Sequence, residues 1–161
     1  MSIEGPLVFR ALNNEVAMNQ FYRALRAPLL FLSLLCLVAC STISPYNQHA
    51  YELSTSTKAE ALSVVSKATE DYKLHAGEVQ ALKLNVEKAY EYTRGFPRNE
   101  DVTQMWEIMM NESGGALYGF LKDWKQDGKL SQAFVSEKRR QISKQFDEII
   151  GLEGFKRKVA D

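Results

Sequence analysis

Residues 62–93 read LSVVSKATEDYKLHAGEVQALKLNVEKAYEYT, and this stretch decides the fold class. It contains no proline. Val65, Tyr72, Val79 and Val86 fall seven apart, and Ala68, His75, Leu82 and Ala89 follow each of them by three. Leu62, Ala76 and Tyr90 widen the stripe. A helix brings positions three, four and seven apart onto one face, so this pattern describes a helix turning an apolar side toward a bundle core. Lys67, Glu70, Asp71, Lys73, Glu78, Lys88 and Glu91 take the opposite face. Upstream, Thr57-Lys58-Ala59-Glu60 has the form of a capping box. Downstream, Arg94-Gly95 followed by Pro97 is a stop signal. The spacing therefore predicts one continuous helix over about 57–94, about 55 Å long. Gly77 is its weakest position, worth about 1 kcal/mol less than alanine there.

The chain beyond it follows the same logic in shorter pieces. Asn99-Glu100-Asp101 introduces an apolar segment from Val102 to Met110, and Asn111 to Gly115 breaks it. A second segment runs from Ala116 to Trp124 and stops at Asp127-Gly128. Ser131 then opens a final helix whose stripe is Phe134, Val135, Ile142, Phe146, Ile149 and Ile150. Lys138-Arg139-Arg140 intrudes on that stripe, where the stem of Lys138 can snorkel. Lys156-Arg157-Lys158 closes it, where cations suit the helix dipole. Alternating strand patterns are absent beyond four residues outside the N-terminal apolar run. The expected class is all-α: a small helical bundle on a long N-terminal helix (about 57–94). That helix packs antiparallel to a C-terminal helix (about 131–157), and two short helices, forming a helical hairpin, bridge them at one end.

The N-terminus carries a different signal. Arg23 and Arg26 precede the apolar run Pro28 to Val38, and Leu37-Val38-Ala39-Cys40 ends it. A basic segment, a short apolar core and a small residue before the cut are the parts of a secretory signal. With a leucine three positions before a cysteine, the segment resembles the lipobox of bacterial lipoproteins. The resemblance implies cleavage between Ala39 and Cys40 and lipidation of Cys40, which in that family carries three acyl chains. Two or more chains hold a protein stably on a bilayer. Ser41 follows the cysteine where the family's inner-membrane retention signal has aspartate. The resemblance thus implies the outer membrane, facing the periplasm. Met18 makes a signal of ordinary length, whereas a start at Met1 gives a long leader containing Glu4 and Glu15. The alternative is an uncleaved anchor, for which the clean apolar run is short against the ~20 residues a span needs. The expected organisation is a signal peptide over 1–39, a lipidated tether over 40–56 and one helical domain over 57–161.

Composition narrows the functional classes. The chain has 20 basic and 20 acidic residues, and removal of residues 1–39 leaves 17 basic and 18 acidic. That balance offers no basic footprint for nucleic acid. The two cysteines are Cys36, inside the signal, and Cys40. The mature domain therefore has neither a disulfide nor a thiol nucleophile.

Candidate sites are few. His49 falls in the tether, and His75 falls on the apolar stripe, as a core-edge residue or a proton switch. The pairs Glu70-Asp71, Glu100-Asp101 and Asp147-Glu148 are adjacent, so their members diverge on a helix. Ser113-Gly114-Gly115 lacks the strand and lysine of a phosphate loop, and Gly115 and Gly119 have a close-packing spacing. The triplets 138–140 and 156–158 are solvated faces or contacts for anionic lipid headgroups. Met105, Trp106, Met109, Tyr118, Phe120 and Trp124 combine residue types favoured at adaptable and hot-spot surfaces. They are read as core filling or as a patch for a partner or apolar ligand. No catalytic set, metal site or cofactor motif is identified. The expected function is a non-enzymatic, lipid-anchored adaptor or assembly factor that binds the membrane through its lipid and also binds another envelope protein. Alternatives are a helical carrier of an apolar ligand or lipid, and a hydrolase with an unrecognised carboxylate site.

Overall fold

Asn47 begins the observed structure: its Oδ1 accepts the Ala50 N–H at 2.9 Å and caps α1 (Gln48–Ser66). The computed structural model describes residues 43–160, which form α-helices and no strand. Asp71 caps α2 (Tyr72–Arg94), its Oδ1 accepting the Lys73 N–H at 3.0 Å. Then come α3 (Glu100–Met110), α4 (Ala116–Asp127) and α5 (Gln132–Ala160).

Side-chain pairs between helices fix the topology. Between α1 and α2, Lys67 bridges Glu78, Asn85 donates to Glu60 at 2.8 Å, and Tyr92 donates to Asn47 at 3.3 Å. Partner numbers rise on one helix as they fall on the other, so the pair is antiparallel. Along α5, Tyr46 lies 5.9 Å from Arg157, Lys58 bridges Asp147 at 2.5 Å, and Arg139 donates to Ser66 at 3.1 Å. The terminal helices α1 and α5 are thus antiparallel as well. Down α2, Tyr90 donates to Glu107, Lys83 bridges Glu112, and Tyr72 meets Trp124 edge-on at 5.4 Å. Against α5, Lys156 meets Asn99, Trp106 meets Phe146 at 5.8 Å, and Phe120 stacks on Phe134 at 6.2 Å. The four legs therefore run up, down, up and down, and α3 followed by α4 makes the third leg.

The all-α bundle and its antiparallel terminal helices match the sequence. Three details differ. The helix expected over 57–94 is broken at residues 67–71. The heptad stripe survives the break because Val65, Ala68, Val79, Leu82, Val86 and Ala89 are all buried on both sides of it. A continuous rod would leave one half without a neighbour; folding back lets both halves share a core. The turn is held by the α4–α5 connection, which supplies partners for stranded backbone groups. Gly128 O accepts the Tyr72 N–H at 2.8 Å, and Ala68 O accepts the Leu130 N–H at 2.9 Å. Trp124 Nε1 donates to Glu70 O at 3.0 Å.

The first helix also starts earlier than the capping box implies. Residues 48–56, expected in the tether, form its first half, and Thr57 is buried in mid-helix. Ser54 is buried too, donating its hydroxyl to Ala50 O at 2.8 Å. This back-bond hides a polar residue in the core, so a serine- and threonine-rich stretch conceals an apolar face. Finally, the two short helices do not bridge one end. They run in tandem along the molecule, because together they are long enough to line α2 and α5.

Candidate functional site

The aromatic–methionine cluster lies inside. Trp106, Met109, Phe120 and Trp124 are at most 1% exposed, Tyr118 is buried, and Met105 packs against the core. The cause is topological: α3 and α4 stand between α2 and α5, so their apolar sides face inward. Tyr118 donates to Lys83 O at 3.2 Å, with the Lys83 ammonium 4.6 Å above its ring. Burial pushes the Tyr118 phenol up, helped by Glu87 and Glu112. Of the two readings of these six residues, core filling is the one the structure shows, with Met105 at the core's edge.

His75 stands in the first turn of α2, next to the turn between α1 and α2. Its Nε2 lies 2.9 Å from a Glu70 oxygen and its Nδ1 lies 3.1 Å from Glu78. The ring tilts over Trp124 at 5.7 Å. Hydrogen bonds accepted by Glu70 and then Glu78 hold the imidazole pKa above its ordinary value. Lys67, followed by His75, holds the Glu78 carboxyl below the usual carboxylate range. His49 is exposed and meets Tyr92 edge-on at 4.7 Å.

The adjacent carboxylates diverge as expected. Asp71 caps α2 while Glu70 meets His75; Glu100 and Asp101 sit in the first turn of α3; Asp147 pairs with Lys58. Among the described residues, no group of three or more His, Cys, Asp or Glu is placed to hold a metal. Gly115 closes the α3–α4 turn, its N–H donating to Asn111 O at 2.7 Å.

A buried polar node closes the end of the bundle where the described chain begins. Lys156 Nζ donates to Glu153 Oε1 at 2.8 Å and to Asn99 Oδ1 at 2.5 Å. Asn99 Nδ2 donates in turn to Thr93 O at 2.7 Å. Glu153 is fully buried and Lys156 is 7% exposed. Removing one partner of such a pair costs about 3–5 kcal/mol, because a charge is left buried and alone. The node ties α5 to the 95–99 turn, where Arg98 adopts φ 61° and its carbonyl accepts the Ser44 N–H at 2.9 Å. Sequence reasoning missed it by seeing only the basic triplet 156–158. The signal was present: Ile142, Phe146, Ile149, Glu153 and Lys156 continue one stripe at spacings of four and three.

Ile43, Val102, Leu152 and Phe155 line a small crevice of about 30 Å³ beside this node. A shallow cleft of about 430 Å³ lies next to it, lined by Arg94, Phe96, Glu100, Thr103 and Glu107. No protein-family model, curated protein or solved structure matches this chain. Leu37, Val38, Ala39, Cys40 and the alternative start Met18 lie outside the described residues. No helix among the described residues is long and apolar enough to cross a membrane.

Proposed function

We propose that this chain is a non-enzymatic, lipid-anchored envelope protein, an adaptor or assembly factor at the outer membrane facing the periplasm. The observation that carries this reading is Leu37-Val38-Ala39-Cys40, ending an apolar run that two arginines precede. The bundle adds support for an adaptor over a carrier. Trp106, Phe120 and Trp124, the side chains a carrier would use, are committed to the core, which leaves docking to the outer faces. Leu74, Leu84 and Ile108 are large apolar side chains there, at least half exposed, and they are the residues assigned to partner contact.

Two measurements test this. Intact mass of the protein from bacterial membranes should show a chain beginning at Cys40 with acyl chains attached, and Cys40→Ala should abolish both the mass and the membrane retention. Retention of Cys40→Ala, or an uncleaved mass, overturns the anchor. In-cell crosslinking should then recover one dominant envelope protein, and Leu84→Lys with Ile108→Lys should lose it. Recovery of the chain alone overturns the adaptor role.

A further inference from the structure

We infer that the end of the bundle built from the 94–99 segment, the start of α1 and the last turns of α5 is a docking surface for lipid headgroups. It seats the bundle on the bilayer in one orientation. This inference rests on lipidation at Cys40. Only Ser41 and Thr42 separate Cys40 from Ile43, so even an extended chain places the lipid within roughly 10 Å of Ile43. Ile43 and Phe155 line the same crevice. The described chain therefore begins beside Phe155, an aromatic side chain that is 54% exposed.

The chemistry of this end suits an interface. Tyr92 meets His49 edge-on at 4.7 Å and Phe96 at 5.2 Å, and Tyr46 lies under the Arg157 guanidinium. The amphipathic rings of tyrosines such as Tyr46 and Tyr92 suit the headgroup level of a membrane. Exposed Arg94, Arg157 and Lys158 stand among them. Glu91 is bridged to Arg94 at 2.7 Å, and the exposed Glu100 and Asp101 sit in the first turn of α3, where the helix dipole offsets their charge. Cations over an apolar, aromatic base match an anionic headgroup layer.

The other basic triplet supplies the contrast. Arg139 and Arg157 are separated by 18 residues of α5, roughly 27 Å along the axis. Arg139 bonds to Ser66 near the opposite end of the bundle, and Arg140 pairs with Glu137. Only the triplet at 156–158 is within reach of the anchor.

Site-specific fluorescence on the lipidated protein tests the inference. Apart from Cys40 the mature chain has no cysteine, so Phe155→Cys and Leu74→Cys each give one labelling position. The proteins are reconstituted in vesicles of phosphatidylethanolamine and phosphatidylglycerol, with a lipid-borne quencher or aqueous iodide. Lipid quenching should be several-fold stronger at position 155 than at 74, and Arg157→Glu with Lys158→Glu should remove most of the difference. Equal quenching at both positions, with the acylated mass present, overturns docking while leaving the anchor intact. A label at 155 closed to both quenchers means a second copy covers this end, and also overturns it. An unmodified Cys40 overturns the anchor and this inference together.

Discussion

His75 is the residue whose role changes most once its neighbours are visible. The stripe placed it at the edge of the core, and there it lies, but nothing in the sequence shows that Glu70 and Glu78 converge on its ring. Glu78 is three residues away on the same helix face and was foreseeable. Glu70 arrives only because the chain turns at 67–71, so its contact is tertiary. The consequence is a pH dependence of stability with a fixed sign. The folded pKa of His75 is raised above 6.5, so its contribution is fully present below 6.5 and is lost as pH rises through the folded value. Glu78 is lowered from 4.5, so its contribution is present above 4.5 and is lost as pH falls through its folded value. Both act together between 4.5 and 6.5. His75→Gln should therefore lower the urea midpoint most in that window, and the gap to the parent protein should close toward alkaline pH. A gap that widens with rising pH would contradict this geometry.

At the scale of elements, periodicity located α3, α4 and α5 but read α1 and α2 as one helix. The stripe from Val65 to Val86 stays in register across the 67–71 turn, because the residues consumed by the turn preserve the spacing of seven. Periodicity alone is blind to such a break. The clue was Asp71, a capping residue in mid-pattern, now seen accepting the Lys73 N–H. The α3–α4 join was legible from Asn111 to Gly115, yet its direction was not, since a short link is compatible with a hairpin or a tandem pair. At the tandem junction the backbone approaches itself closely at Gly115. A β-carbon there would lie 2.3 Å from Ile108 O, 2.5 Å from Asn111 O and 2.9 Å from Met109 O. Gly114 has open space around it. Gly115→Ala should destabilise the protein by about 1–3 kcal/mol, while Gly114→Ala stays within about 0.5 kcal/mol of the parent. Chemical denaturation of the two variants decides, and equal midpoints would mean that the junction yields freely.

For the whole molecule, the all-α class and the antiparallel pairing of its ends were readable because an amphipathic stripe must find a partner. The position of the aromatic–methionine cluster was not, because composition names the side chains suited to a surface without saying which legs will cover them. The fold's N-terminal limit was misread for a related reason. Ser54 looks like a linker residue and Thr57 like a helix cap, but both are buried within α1. Serine there is small enough to let α1 approach its neighbours, and its hydroxyl is satisfied within its own helix. This assigns residues 48–56 to the bundle, and a pair of substitutions two positions apart measures it. Ser54→Lys forces a long cation into a fully buried position and should cost about 3 kcal/mol or more. Ser56→Lys, on the exposed face of the same turn, should change stability by less than about 0.5 kcal/mol. A flexible tether predicts that both are silent, so urea midpoints that coincide for the two variants would return this segment to the linker and shorten the first leg of the bundle.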